Sequence, residues 1–521
     1  MSIDTPAWVQ DAVFYQIFPD RFARSGRVQL PGPLEAWDAP PTVHGFKGGD
    51  LYGICDRLPE LRDLGVTALY LTPVFTSASN HRYHTYDYLA VDPVLGGEAA
   101  LRELVDRAHA LDMHVILDGV FNHSGRGFWP FHHVAENGAA SPYRDWFILD
   151  DRVIASERRL DPYPTVDPEV DFAGPATRGG YRAWWGLPAL PKLNIWNPHV
   201  REYLFSVGEH WLRFGIDGWR LDVPTEIEDP AFWPEFRRRC RAVDPEAYLV
   251  GEIWTEAPDW LAGDRFDGLM NYPLAGAILG FAGGASLDEQ LVGQHHMYRQ
   301  LIRRLDGPAF GREVERLMTL YEPGTVAAQL NLLGSHDTPR ALSVLSGDRA
   351  ALRLAFALQL TLPGAPCIYY GDELGLAGRL DPDSRRAYPA EPGAGDQALR
   401  AYTAALGAAR HEHVALRRGS VQLVGAKDGS AVLLREADGQ RALVAINAGM
   451  TAQDVALDGF DGIGWPGRYD GSGGDGAAAG RGWRPLPDLV ASGAALMLAD
   501  RAGDASRLRL PAQASAIWVD G

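Results

Sequence analysis

The sequence predicts an α/β protein built on a (β/α)8 TIM barrel, with a subdomain inserted after the third strand and an antiparallel β-sandwich at the C-terminal end. Three observations predict it. Eight short apolar runs alternate with helix-like stretches, and such alternation builds a parallel sheet with right-handed crossovers. The interval from Ser124 to about Asn197 is too long for a barrel connection and is rich in Trp, Pro, Gly and Asp. After Gly419 the periodicity changes to strict alternation with tight turns. An open doubly wound sheet is the alternative that the pattern leaves.

The eight runs are residues 11–18 (DAVFYQIF), 66–73 (VTALYLTP), 114–123 (HVILDGVFNH), 217–223 (DGWRLDV), 247–254 (AYLVGEIW), 266–271 (FDGLMN), 328–337 (AQLNLLGSHD) and 366–373 (PCIYYGDE). Helical periodicity precedes the second (ICDRLPELRDLG), the third (residues 98–112), the fourth (PHVREYLFSVGEHWLRFG), the fifth (PAFWPEFRRRCRAVD) and the eighth (DRAALRLAFALQLTLPG). Pro198 sits near the start of the helix before the fourth strand, where its fixed φ suits a first turn. Residues 1–121 and 200–418 are expected to form the barrel, 122–199 the insertion and 419–521 the sandwich. In that last part, KDGS and ADGQ predict hairpin turns. SAIWVDG predicts a closing strand, and GSGGDGAAAG (471–480) a flexible loop.

Composition excludes some partners. The net charge of the 521 residues is −18, which disfavours nucleic acid and anionic membranes, since both require a basic surface. A neutral ligand is compatible with it. The start, MSIDTPAWVQ, has no basic n-region before an apolar core, so no signal peptide is expected. No apolar run approaches the roughly 20 residues that span a bilayer. Cys55, Cys240 and Cys367 are too dispersed for a disulfide framework. These features predict a cytoplasmic protein with reduced thiols and leave the oligomeric state open.

The stretch GIDGWRLDVPTEI, residues 215–227, carries a charge pattern that packing alone does not require. Strand side chains alternate between faces, so Arg220 and Asp222 share one face while Trp219, Leu221 and Val223 take the other. Active sites of (β/α)8 barrels lie at the C-terminal strand ends. There the third strand supplies Asp118, Asn122 and His123, and the fourth Arg220 and Asp222. The fifth supplies Glu252 and then Trp254, and the seventh His336 and Asp337. The loop after the second, NHRYHTYDY, adds His81, Tyr83 and His84.

Adjacent fourth and fifth strands bring Asp222 and Glu252 together. Two carboxyls about 5–5.5 Å apart suit a retaining glycosidase, one as nucleophile and one as proton donor. Burial and a third carboxylate, Asp337, raise the donor's pKa, and Arg220 holds the nucleophile ionised. Taken singly, each residue reads equally well as an ion pair or a helix cap. Several rims carrying acid, base and imidazole together do not. Competing chemistry is weak: HEH at 411–413 lacks the two-His helix spacing of a zinc protease. There is no glycine-rich phosphate loop, and QHHMYR from Gln294 reads as helix surface.

The strand-end motifs resemble those of the α-amylase superfamily of glycoside hydrolases. DGVFNH, GWRLDV, GEIW and LLGSHD resemble its four short motifs in order, and LPKLN (190–194) its fifth. The resemblance implies that Asp222 is the nucleophile, Glu252 the general acid/base and Asp337 the transition-state stabiliser. It implies that Arg220 orients the nucleophile, and that His123 and His336 hydrogen-bond the sugar before the cut. Tyr83 would stack under that sugar and Trp254 on the next.

Within the superfamily, LPKLN, FDGLMNYPL, GSHDTPR and GRGFWPFHHVAENGAASPYRDWF resemble cyclomaltodextrinases, neopullulanases and maltogenic amylases. Val223 resembles members that act on α-1,6 as well as α-1,4 links, and Glu226 matches a position associated with acceptor handling. The Lys-His pair of strict α-amylases is replaced here by VPTEI. The implied substrates are maltooligosaccharides, cyclodextrins, pullulan or starch, with transglycosylation alongside hydrolysis. An α-glucosidase, or a glucosyl transferase or isomerase on the same barrel, stays open; a non-catalytic binding barrel is disfavoured by the retained acids.

That group usually carries an N-terminal β-domain that builds a dimer. Here the first strand begins near Asp11, so that domain is not expected, and the resemblance carries over neither its characteristic dimer nor a strict preference for small or cyclic substrates. No cofactor is expected to be required. The early loop RFARSGRVQLPG lacks the Asp/Asn cluster of a calcium loop. Asn122 matches a calcium ligand in many amylases, and no metal site is assigned.

Overall fold

The structure is a computed structural model that describes residues 4–150, 160–164, 179–391, 393–457, 483–497 and 506–520. Its centre is a ring of eight parallel strands: β1 (Phe14–Ile17), β2 (Ala68–Leu71), β3 (His114–Gly119), β4 (Gly218–Leu221), β5 (Tyr248–Gly251), β6 (Gly268–Leu269), β7 (Leu330–Leu332) and β8 (Ala365–Tyr369). The hydrogen-bonded order is β6-β5-β4-β3-β2-β1-β8-β7. A parallel bridge between Met270 and Leu330 joins the two ends. All eight predicted runs form strands, though shorter than the runs themselves.

Helices α1 (Leu51–Asp63), α2 (Gly97–His109), α3 (Pro198–Phe214), α4 (Phe232–Val243), α5 (Tyr272–Gly283) and α6 (Arg349–Thr361) supply crossovers. Between β5 and β6 there is only a short turn, Pro258–Trp260. The α3 boundaries follow local chemistry. The Asn197 side chain accepts the His199 N–H, Pro198 opens the first turn, and Gly215 at φ 115° ends the helix. In β4, Gly218 is required by close approach: a Cβ there would meet the Tyr248 carbonyl oxygen at 2.2 Å.

Strand alternation sorts the ring into two faces. Outward residues such as Tyr15, Leu69, Leu117, Trp219 and Leu249 join the core under the helices. Inward residues Phe14, Ala68, Ile116, Tyr248, Val250, Leu330 and Cys367 form a separate interior core. Further up the same inward face the residues turn polar and stay buried, with Gln16, Asp118 and Arg220 each at most 1% exposed. The prediction that Arg220 and Asp222 share one face holds, and that face looks into the ring.

After β3 the chain leaves the barrel and returns at Asn197. The described part of this excursion contains a helix, Trp129–Asn137, and isolated bridges that include His123–Lys192 and Phe147–Leu193. Beyond the barrel, β9 (Ser420–Lys427), β10 (Ser430–Ala437), β11 (Gln440–Asn447), β12 (Gln453–Ala456), β13 (Arg484–Val490), β14 (Ala495–Met497), β15 (Arg507–Leu510) and β16 (Ala514–Asp520) form two antiparallel sheets. Their orders are β9-β10-β11-β16-β13 and β12-β15-β14.

Val432, Leu443, Val455, Leu508 and Trp518, drawn from both sheets, pack in one core between them. At the predicted ADGQ turn, Asp438 and Gly439 take φ 50° and 76°, the left-handed pair that a two-residue hairpin favours. The glycine-rich stretch 471–480 lies outside the described residues. Among the described residues, no helix is long and apolar enough to cross a membrane.

Candidate active site

The C-terminal mouth of the ring opens into a cavity of about 540 Å³. Asp222, Glu252 and Asp337 line it together with His81, Tyr83, His123 and Trp254. Asp222 and Glu252 directly follow the last residues of β4 and β5, and Asp337 comes in the turn after β7, where the backbone has left the ladder.

Arg220 organises this set from below. Its Nη1 donates to Asp118 Oδ1 at 2.8 Å and to Asp222 Oδ1 at 2.9 Å, and its Nη2 lies 2.9 Å from Glu252 Oε2. Asp222 and Glu252 are therefore bound to the same guanidinium. Asp118, which sequence reasoning placed at a strand end without a role, accepts at Oδ2 from the hydroxyls of both Tyr70 and Tyr83, each at 2.8 Å. The Tyr83 hydroxyl lies 2.5 Å from His336 Nε2, and His336 Nδ1 lies 2.8 Å from Gln16 Nε2. An amide nitrogen only donates, so Nδ1 accepts and Nε2 carries the hydrogen toward Tyr83. The order of donation runs Gln16, His336, Tyr83, Asp118.

Glu252 accepts the Val223 N–H at Oε2 (3.0 Å) and the Trp254 indole N–H at Oε1 (3.2 Å). Val223 holds φ 36°, ψ 52°, a left-handed conformation that is strained for a β-branched residue. That strain sits one residue after Asp222 and aims an amide at Glu252. Asp337 is held from the other side: Arg385 Nη2 reaches its Oδ1 at 3.3 Å, and His295 Nε2 donates to its carbonyl at 3.0 Å.

Five carboxyls thus face two guanidiniums, Asp381 joining Asp337 at Arg385. Burial pushes Glu252 up to about 7, with Asp337 and Asp118 adding to the rise and Arg220 and the Val223 N–H opposing it. Burial also raises Asp222 well above the carboxylate range. Arg220 lowers it, as predicted, but desolvation and the charges of Glu252, Asp118 and Asp337 outweigh that pull. The expectation that Arg220 alone keeps Asp222 ionised is corrected accordingly: the cluster holds a proton near neutrality, and once Glu252 takes it one source of the rise at Asp222 is gone. Asp337 lies low despite its burial, because Arg385 and Arg220 favour its charge, with His336 adding to this only where its ring is protonated. Burial depresses His123 and His336 to about 3, so both are neutral imidazoles.

Aromatic residues form the walls. Tyr83 stacks on His336 (5.3 Å between centroids, 5° between planes). His123 is buried, lies against Trp184 at 5.0 Å, and its Nε2 has no hydrogen-bond partner. Trp184 stacks on Trp185, which meets His296 edge-on at 5.9 Å. The insertion and the segment after α5 therefore touch at one edge of the cavity. Gln294, His295 and His296 were expected on a helix surface; they line the cavity instead, because that segment folds back over the mouth.

Glu226 is not brought in. It is half-buried with a carboxylate oxygen 3.6 Å from Lys192 Nζ, and it is not among the residues that line the cavity. Arg385 and Asp381, which form an ion pair at 3.1 Å beside Asp337, were missed, since nothing in DPDSRR marks a loop that returns to the site. The amide oxygen of Asn122 is buried without a partner. Among the described residues no group of three or more His, Cys, Asp or Glu could hold a metal ion.

Residues 16–414 match the catalytic domain of the α-amylase family. The chain is 40% identical, over 87% of its length and 71% of the relative's, to a cyclomaltodextrinase of Geobacillus thermopakistaniensis. A crystal structure from Thermus thermophilus superposes with a TM-score of 0.86 at 46% identity, covering 99% of this chain and all of that one. The native debranching enzyme of Nostoc punctiforme superposes with a TM-score of 0.83 at 40% identity over the whole of both chains. With three carboxyls and one arginine gathered at the mouth of a matching barrel, the chain belongs to the α-amylase family and is a glycoside hydrolase.

Proposed function

We propose that this protein hydrolyses α-1,4 and α-1,6 glucosidic bonds in short α-glucans with retention of configuration, and transfers some glycosyl groups to sugar acceptors. The observation that carries the reading is the binding of Asp222 and Glu252 to one guanidinium beside Asp337, inside a sugar-sized cavity. Asp222 attacks the anomeric carbon and forms a glycosyl ester. The glycosidic C–O bond breaks as Glu252 passes its proton to the leaving oxygen. Ionised Glu252 then takes a proton from water, which attacks the same carbon and frees Asp222; a sugar hydroxyl in place of water gives transfer. Asp337 and His123, whose Nε2 has no partner, would hydrogen-bond the sugar's hydroxyls, His336 would join them once Tyr83 releases its Nε2, and Tyr83 would lie under the sugar's apolar face.

The names of the similar enzymes, a cyclomaltodextrinase and a debranching enzyme, support short or cyclic substrates and α-1,6 cleavage. Three free, buried cysteines fit a reducing, cytoplasmic setting. Products resolved from maltotriose, pullulan and β-cyclodextrin test the substrate class. Exclusive release of single glucose units would point instead to an α-glucosidase. Proton NMR at early times is expected to show α-anomeric products, and β-anomers appearing first would overturn the double displacement. The Trp185–His296 contact closes one edge of the cavity. Trp185→Ala is therefore expected to raise kcat/KM on amylose severalfold relative to maltotriose, and an unchanged ratio would show that this wall does not restrict access.

A further inference from the structure

Glu252 keeps a neighbour whose role goes beyond holding a sugar. Trp254 donates its indole N–H to Glu252 Oε1 at 3.2 Å, and the indole is itself fixed. One face lies flat on Tyr272, with centroids 3.7 Å and planes 9° apart. Tyr272, the first residue of α5, is fully buried. Its hydroxyl shares a hydrogen bond with Ser335 Oγ at 3.1 Å, and Ser335 Oγ accepts the Asp337 N–H at 3.3 Å. The acid past the end of β5 is thus tied, through an aromatic pair at the end of β6, to the backbone of the third carboxylate past β7.

We propose that Trp254 is a positioning residue that aims and tunes the Glu252 carboxyl through its indole N–H, with Tyr272 as the support. Trp254 also lines the cavity. The proposal rests on the reading of Glu252 as general acid/base. A carboxyl rotates about its last single bond, so one donor at each oxygen is what fixes its plane; the Val223 N–H fixes Oε2 and the Trp254 N–H fixes Oε1. An N–H donated to a carboxylate also favours the ionised form, so removing it makes the group hold its proton more tightly.

The other groups facing Glu252 come from every neighbouring strand. They are Arg220 and Asp222 from β4, Asp118 from β3, Tyr70 from β2, and Asp337 with His336 after β7. Tyr272 and His295 flank the indole. All of them remain in Trp254→Phe, which keeps an aromatic ring for the Tyr272 stack and for a sugar and removes only the N–H donor.

The test measures kcat/KM against pH for the full-length protein and Trp254→Phe on two substrates. Maltotriose leaves as a sugar alkoxide that needs the acid; α-maltosyl fluoride leaves as fluoride with little need of it. On maltotriose the variant is expected to fall about tenfold, with its alkaline limb moved up by on the order of one pH unit. On α-maltosyl fluoride it is expected to stay within about twofold of the parent, with an unchanged melting midpoint. An equal loss on both substrates, or a superimposable alkaline limb, would overturn the proposal and leave Trp254 as a sugar contact or packing residue. Absence of maltotriose turnover in the parent protein would instead count against the functional reading itself.

Discussion

Asp222→Asn is expected to lower kcat on maltotriose by several orders of magnitude while leaving the fold intact. An amide cannot form the glycosyl ester, and the residual rate would come from the remaining carboxyls and substrate binding. Stability is expected to hold or rise. Asp222 is one of five carboxyls around two guanidiniums, and its loss leaves Arg220 still paired with Asp118 and Glu252. Removing one buried charge from a crowded cluster relieves repulsion, the usual trade between activity and stability at a site built for chemistry. Steady-state kinetics with thermal melts at pH 7 check both halves. Near-parental hydrolysis by the variant would end the assignment of Asp222 as nucleophile.

Glu252→Gln is expected to produce a comparable loss on natural glucans and a distinctive pH signature. The donor must carry its proton, so parental kcat/KM falls as pH rises through about 7. The variant has no such group and should lose that limb. The stability consequence follows from the same shift. A carboxyl with a raised folded-state pKa binds protons more tightly folded than unfolded, so stability falls with rising pH between the ordinary carboxylate range and the folded value. Below that range the group imposes no penalty; above about 7 the penalty is complete. The melting midpoint of Glu252→Gln is therefore expected to exceed the parent's at pH 8 and to match it at pH 4. A constant difference at both pH values would contradict the shift and its origin in burial.

Much of the architecture was legible because it rests on local rules. The eight runs stand out as apolar stretches between helical patterns, and the two-residue period by itself puts Arg220 and Asp222 on one face. The Asp438–Gly439 turn and the Asn197–Pro198 helix start carry their conformations in single residues. The site was less legible where it depends on chain segments that return from far away. Arg385, Asp381 and His295 reach the mouth through loops whose paths no periodicity encodes. Glu226 lies three residues after Val223, close along the chain to Asp222, yet the short turn at Pro224–Glu226 points it to Lys192.

Sequence by itself determined which residues end the strands and which of them carry acid, base and imidazole. That information lies in periodicity and residue type, both local along the chain. Tertiary structure alone decided that one guanidinium binds Asp118, Asp222 and Glu252 at once, and that Trp254 rests on Tyr272 with its N–H on the acid. It also decided which carboxyls rise and which fall. Closing the ring sets both distance and desolvation, and the strength of a charge interaction depends on the two together.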